Sequence, residues 1–263
     1  MIHIQILDTT MVESKFTLEE QMMARAISNA TKARPRCMPN PWVGAVLVSS
    51  DGQTFDGFTQ EFGSGHAETV CLDEAGQKAQ GATLYVTLEP CSHSGKTGPC
   101  VERIIESRVS RVVIGMKDPD RQVCGEGIKS LQSAGVDVVV GVLEDLVAEQ
   151  LAPYVHHRNT GRPYVILKIA TTLDGKVAAP DGSSQWITGA QARREGHKLR
   201  AYSDAICVGR GTVISDNPQL TVRDWSADDD IDKNLDPRRI VLGNVPAEAA
   251  IHPCYEFSGD LLE

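Results

Sequence analysis

The stretch GHAETVCLDEAGQKAQGATLYVTLEPCSHSGKTGPC, residues 65–100, decides how this chain is read. It holds in order a His-Ala-Glu triplet, an apolar run with the composition of a buried strand, and a Pro-Cys pair followed after eight residues by a second Cys. A catalytic Zn2+ takes three protein ligands and keeps a fourth position for water, whose pKa it lowers towards neutrality. His66, Cys91 and Cys100 supply that number of ligands. Glu68 supplies a carboxylate able to carry a proton from such a water to a departing amine, so it reads as the catalytic residue and not as a ligand.

The local pattern agrees. Residues 66–76 read as a short helix ending at Gly76, and Pro99 suits the first turn of a helix that begins at Cys100. Residues two apart on a helix point to different faces, so His66 and Glu68 serve one pocket only if it lies over the helix N-terminus. A thiolate at Cys100 is favoured at such a helix start. Taken alone, a His-x-Glu is usually a surface accident and a single buried Cys is usually a small core residue. Their conjunction is the zinc-deaminase pattern, except that the usual pattern has two residues between the cysteines and this chain has eight.

That longer spacing carries a family resemblance. The run Thr87-Leu88-Glu89-Pro90-Cys91-Ser92-His93-Ser94-Gly95-Lys96-Thr97-Gly98-Pro99-Cys100 resembles the zinc loop of the bifunctional riboflavin-biosynthesis deaminase-reductases, the RibD family. Pro39-Asn40-Pro41-Trp42-Val43-Gly44 and Lys117-Asp118-Pro119 are similar to motifs of its deaminase half. Arg162-Pro163-Tyr164, Leu173-Asp174-Gly175 and Ser184-Gln185-Trp186-Ile187-Thr188 are similar to the opening of its reductase half. The resemblance runs from about residue 16 to about residue 243.

The resemblance implies an α/β chain. After an N-terminal appendage (1–15), a three-layer αβα cytidine-deaminase-like zinc domain would cover 16–157, followed by a partial dihydrofolate-reductase-like α/β domain over 158–263. It implies zinc-dependent hydrolytic deamination of 2,5-diamino-6-(5-phosphoribosylamino)pyrimidin-4(3H)-one to the corresponding uracil, then NADPH-dependent reduction of the ribosyl chain to ribityl. Carried over residue by residue, Asn40, His93 and Asp118 are expected in the deaminase pocket and Lys96 on the ribose phosphate. Thr171, Trp186, Thr212 and Asp216 are expected to face NADPH, and Ser184, Arg200, Leu220 and Arg223 the phosphosugar. Read singly, Trp186 and Leu220 would be core residues. Glu89 is a candidate outer support of the zinc loop.

Some positions depart from the family pattern. Thr59 stands where many members have His, Asp120-Arg121 replaces Asn-Pro, and Glu126 replaces Arg, so the pocket rim is expected to differ. The chain has no Gly-Gly pair of the kind that lets backbone N–H groups approach cofactor phosphates. Reductase activity is therefore expected to be weak or absent, with the missing part lost to truncation or supplied by a separate reductase polypeptide.

Composition narrows the classes further. Of 263 residues 41% are hydrophobic, enough for buried cores in two ordinary domains, and a net charge of -9 disfavours a nucleic-acid partner. Seven cysteines form no regular small-domain framework and suggest a reducing cytoplasm. No apolar run reaches membrane-spanning length. The resemblance implies a small phosphoribosyl-pyrimidine as partner, alongside a second copy of the chain or a reductase polypeptide. Met1 and Met11 are alternative starts.

Along the chain, Thr17-Leu18-Glu19-Glu20 is a capping box opening a helix to about residue 33, ended by Pro35. Residues 42–48 and 54–58 read as a hairpin about Asp51-Gly52. The β-rich runs 82–88, 109–116 and 136–142 alternate with helices from Cys100 and Gly125, which predicts a sheet with helices on both sides. Residues 143–157 read as helix and 158–163 as a turn-rich break. Beyond it, 164–170, 205–208 and 239–242 read as strands, with a helix over 190–201 capped by Thr188; the acidic run Asp228-Asp229-Asp230 reads as a solvated loop. Two other readings remain: a zinc deaminase of another base or nucleoside, and a non-catalytic zinc-binding scaffold. Retention of Glu68 favours catalysis, because a structural zinc normally takes a fourth protein ligand.

Overall fold

The computed structural model describes residues 16–92, 98–120, 123–223, 225 and 235–257. The expected appendage over 1–15, together with His93, Lys96, Arg121 and Asp228-Asp229-Asp230, lies outside them. The chain divides into two compact units at Val165 and Ile166.

The first unit begins as the capping box requires. Thr17 and Glu20 exchange both reciprocal bonds, the Thr17 N–H donating to Glu20 Oε2 at 2.8 Å, and helix α1 runs over Leu18–Ala33. Strands β1 (Gly44–Val48) and β2 (Thr54–Phe58) form the hairpin. Helix α2 (Ala67–Ala75) follows, then β3 (Thr83–Leu88), α3 (Cys100–Glu106), β4 (Arg111–Met116), α4 (Glu126–Ser133) and β5 (Asp137–Val140). The sheet order is β2-β1-β3-β4-β5, antiparallel as far as β3 and parallel from β3 to β5.

Alternation along the strands sorts the core onto two faces. Val46, Tyr85 and Val113 meet Met23 and Ala26 of α1. Ala45, Leu47, Leu84, Val86, Val112 and Ile114 point the other way, into a larger cluster with Ala67, Cys71 and Leu72 of α2, Val101 and Ile104 of α3, and Leu131 of α4. The result is the helix-sheet-helix layering anticipated from the alternation. Gly44 lets α1 lie this close, since a Cβ there would collide with the Ala26 carbonyl oxygen. Arg25 clamps Asp56 with two bonds of 2.8 and 2.5 Å, and Asn29 adds a third at 2.7 Å.

The expected helix over 143–157 is two helices, α5 (Glu144–Gln150) and α6 (Ala152–Thr160), separated at Leu151 with Pro153 in the first turn of the second. Arg158, Asn159 and Thr160, read from sequence as the start of a turn, instead complete α6. Gly161 at φ +69° caps it, its N–H donating to the His157 carbonyl at 2.8 Å.

The second unit contains α7 (Ala190–Ala201), β6 (Ala205–Gly209), α8 (Arg210–Asp216), β7 (Arg238–Leu242) and β8 (Tyr255–Phe257). Its strands pair in parallel in the order β6-β7-β8 around Val213, Leu220, Val241, Ala249 and Ile251. Two sequence expectations fail here. Residues 164–170 join no sheet, and Val165 and Leu167 are 84% and 80% exposed. A strand requires a neighbour for its N–H and C=O groups, and no described strand pairs with this run. Thr188 does not cap α7. The N-cap is Gly189, and Thr188 offers only its carbonyl, to Arg193 Nη1 at 2.7 Å. Strand β8, three exposed residues, had no signal in the sequence.

Candidate zinc centre and its pocket

His66 is the N-cap of α2, with extended backbone at φ -76° and ψ 164°, and Glu68 lies buried in the first turn. Cys91 follows the end of β3, and Cys100 is the first residue of α3. The two N–H groups that open α3 turn onto Cys91: Cys100 N–H to Cys91 Sγ at 3.4 Å and Val101 N–H to the Cys91 carbonyl at 3.2 Å. His66 Nδ1 lies 3.2 Å from Cys100 Sγ and 3.6 Å from Cys91 Sγ, and one donor atom from each of the three residues lies within 4.8 Å of the others. Tetrahedral zinc with ordinary Zn–S and Zn–N bonds sets N···S edges of about 3.5 Å. The donor set and its spacing fit zinc.

Protonation follows from these contacts. A hydrogen bond with Cys100 lowers the Cys91 thiol to about 4, and the neighbouring His66 assists. The same bond, with burial, holds Cys100 well above the usual thiol range. Hydrogen bonding to Cys91 raises His66 against the effect of its burial. One thiolate, one withheld proton and one imidazole make a set that a divalent cation completes by displacing the remaining proton. Burial pushes the Glu68 carboxyl up, with His66 opposing, so Glu68 takes up a proton more readily than a solvated carboxylate.

These residues open onto a cavity of about 300 Å3 whose walls include Asn40, Thr59, His66, Glu68, Cys91, Asp118, Asp120, Tyr154 and Arg158. Asn40 is half-buried. Its backbone is pinned by its N–H to the Cys37 carbonyl at 2.9 Å, and its side-chain amide has no hydrogen-bond partner among the described residues. Asp118 is buried. Its carboxylate accepts from Asp120 N–H at 2.8 Å and from Tyr154 Oη, and burial raises its pKa in spite of both donors. Tyr154 and Arg158 have no counterpart in the sequence reading. A Tyr and an Arg one turn apart on a helix look like any surface pair. Only the return of α6 to the sheet makes them walls of this cavity.

Three other positions are clarified by their contacts. Among the described residues Glu89 makes no hydrogen bond to a zinc-ligand side chain. Its oxygens accept from the N–H groups of Asp118 at 3.2 Å, Gly125 at 3.0 Å and Ile128 at 3.2 Å, fixing the Asp118 loop to the end of β3. Thr59 uses its hydroxyl on the Val43 backbone, accepting from the N–H at 3.1 Å and donating to the carbonyl at 3.3 Å. Asp120 pairs with Arg158 at 3.3 Å, whereas Glu126 pairs with Lys129 on the exposed side of α4.

In the second unit the structure brings together Arg200, Leu220 and Arg223. Arg200 Nη1 donates to the Thr221 carbonyl at 3.1 Å, Arg223 N–H donates to His197 Nδ1 at 3.2 Å, and Leu220 is buried in the core at φ +56°. His197, absent from the sequence reading, is buried between them. Burial and the nearby Arg223 lower the Arg200 pKa. Thr171 and Ser184 lie exposed on the irregular stretch before α7, and Thr212 and Asp216 are exposed on α8. Trp186 is not a core residue: it is 70% exposed, with the Arg193 guanidinium 4.4 Å from its ring centre.

A mixed sheet covered on both faces, with a His and two Cys ligands gathered at two helix starts beside a buried glutamate, defines the zinc-dependent deaminases of the cytidine-deaminase type. Residues 17–116 match the family of the cytidine and deoxycytidylate deaminase zinc-binding region, and residues 163–251 match the RibD C-terminal domain. The riboflavin biosynthesis protein RibD of Escherichia coli K12 is 42% identical over 249 residues, covering 92% of this chain and 68% of that protein. A solved structure of Acinetobacter baumannii RibD superposes with a TM-score of 0.80 at 41% identity, over 89% of this chain and 66% of that one. A Thermotoga maritima diaminohydroxyphosphoribosylaminopyrimidine deaminase/5-amino-6-(5-phosphoribosylamino)uracil reductase gives 0.78 at 42% identity, over 86% of this chain and 63% of that one. The chain belongs to the RibD family, combining its zinc deaminase domain with part of its C-terminal domain, and spans about two thirds of the length of these relatives.

Proposed function

We propose that this chain deaminates 2,5-diamino-6-(5-phosphoribosylamino)pyrimidin-4(3H)-one to 5-amino-6-(5-phosphoribosylamino)uracil. The observation that carries the reading is the convergence of His66, Cys91 and Cys100 beside the buried Glu68, at the wall of a cavity that also presents Asn40 and Asp118. His66, Cys91 and Cys100 hold the zinc, which when bound supplies an acidified water. Glu68 would take a proton from the attacking water and deliver it to the ring nitrogen beside the amino-bearing carbon, then take the proton of the newly added hydroxyl and pass it to the amine, which leaves as ammonia as the carbonyl forms. Water adds one oxygen to that carbon as one nitrogen departs. The amide of Asn40 and the carboxylate of Asp118 fix the pyrimidine edge. His93 and Lys96, outside the described residues, are assigned to the pocket and the ribose phosphate through the family motif alone.

For the second unit we assign Arg200, Leu220 and Arg223, with Ser184, to a phosphosugar and Thr171, Trp186, Thr212 and Asp216 to NADPH. The exposure of Thr171, Ser184 and Trp186 supports weak or absent reduction by this chain. A second copy or a separate reductase polypeptide would be its partner, in the cytoplasm.

The test is ammonia release from freshly prepared substrate by the zinc-loaded chain, with NADPH oxidation followed in parallel. Ammonia release that disappears in Glu68→Ala supports the deaminase. A folded, zinc-bearing chain that releases none would turn the reading towards another substrate or a scaffold.

A further inference from the structure

Away from the deaminase centre, a second set of side chains with metal-ligand chemistry converges: His252, Cys254 and Glu256, on the segment that enters β8. One donor atom from each lies within 4.8 Å of the others.

The two outer members are held by one turn. Val245 N–H donates to Glu256 Oε2 at 2.9 Å, and His252 Nε2 lies 3.0 Å from the Pro246 carbonyl oxygen. A carbonyl can only accept, so Nε2 carries the proton, and in the neutral ring Nδ1 presents its lone pair. That lone pair stands 3.6 Å from Cys254 Sγ, matching the N···S edge of about 3.5 Å that tetrahedral zinc sets. A ring N–H resting on a backbone carbonyl while the other nitrogen faces the ligand position is the usual outer support of a metal-binding histidine. The donors also differ in kind: one nitrogen, one sulfur and one carboxylate, a mixture that suits zinc and its borderline neighbours and not Mg2+ or Ca2+. His252 and Glu256 are exposed and Cys254 is half-buried, so a cation can enter from solvent.

We propose that His252 Nδ1, Cys254 Sγ and a Glu256 carboxylate oxygen form a second site for a borderline divalent cation, with zinc as the ligand of choice and water completing its shell. A cation there would staple β8, at the edge of its sheet, to the turn at Val245 and Pro246.

The experiment uses the intact chain. Bound zinc is counted after equilibrium dialysis, and Co2+ substitution reads the thiolate-to-metal absorption band, to which the deaminase centre contributes two thiolates and the proposed site one. The expected result is two zinc equivalents in the unmodified chain, falling to one in Cys254→Ser and in His252→Ala, with about one-third of the cobalt-thiolate band lost in Cys254→Ser. Glu256→Gln, which keeps the bond from Val245, should weaken the second equivalent without abolishing folding. A single equivalent in the unmodified chain, or a second one that survives both Cys254→Ser and His252→Ala, overturns the site and leaves only a thiol donating to an imidazole. Circular dichroism identifies any misfolded variant, and the count in the unmodified chain and in Glu256→Gln then decides. Because ammonia release is measured separately, neither outcome touches the deaminase reading.

Discussion

Tyr154 Oη reaches both carboxylate oxygens of Asp118, at 2.9 and 3.2 Å, so α6 braces the buried acid from across the cavity. The tyrosine belongs to a helix built 36 residues further along the chain, and burial and the Asp118 charge both raise its own pKa, keeping it a donor. Tyr154→Phe removes the brace and leaves a buried carboxylate with the Asp120 N–H as its remaining donor among the described residues. Losing a hydrogen bond to a charged group costs about 1.5 kcal/mol, which corresponds to roughly a tenfold fall in kcat/KM. Zinc content should not change. An unaltered kcat/KM would remove Tyr154 from the pocket's working parts.

Glu68→Gln keeps the shape of the buried side chain and removes its ability to carry a proton. Ammonia release should fall by about 10²- to 10⁴-fold while zinc remains bound, since Glu68 is not among the three gathered donors. Loss of zinc along with activity would show Glu68 to be a ligand, against the mechanism proposed here.

Asp118 makes the pH dependence of stability testable. Burial raises its folded pKa, so its contribution is fully present below the unfolded carboxylate pKa and is lost as pH rises through the folded value. Asp118→Asn can keep the bonds from Asp120 and Tyr154 to one oxygen and has no charge to bury. Its stability relative to the unmodified chain should therefore grow over the pH range that runs from the unfolded carboxylate pKa up through the raised folded value, while deamination falls. Thermal unfolding across that range checks it, and a gap that narrows with rising pH would sink the argument.

Much of this was legible because the signals are local. A capping box needs only Thr17 and Glu20; a helix start needs only Pro99 and Cys100; alternation of helical and strand patterns fixes the layering. His66 and Glu68 could be assigned to one pocket because a helix N-terminus is the place where residues so spaced converge. Tyr154 and Arg158 were illegible because their role depends on where α6 returns, which no local pattern encodes. Residues 164–170 carry strand composition, yet composition cannot supply the neighbouring strand that would make them one.

Glu89→Ala should be among the most damaging single changes in the first unit. Three backbone N–H groups, from Asp118, Gly125 and Ile128, lose their acceptor in a buried place. We expect a loss of about 3 kcal/mol in urea unfolding, with part regained in Glu89→Gln, which retains one oxygen acceptor. Equal losses in the two variants would show that charge, and not the number of acceptors, is what the loop requires.

Arg158 offers the sharpest separation of binding from chemistry. Its guanidinium pairs with Asp120 at 3.3 Å and lies 5.1 Å from the centre of the Tyr154 ring, at the wall of the cavity. A planar cation so held is suited to a phosphate oxygen at the rim. Arg158→Gln should raise KM about tenfold with kcat little changed, and the effect should shrink as salt is added. Arg158→Lys should recover only part of the loss, because an ammonium keeps the charge but cannot stack on the ring or bond in parallel. A fall confined to kcat would instead place Arg158 in the support of Asp118 through Tyr154, and remove it from recognition of the phosphate.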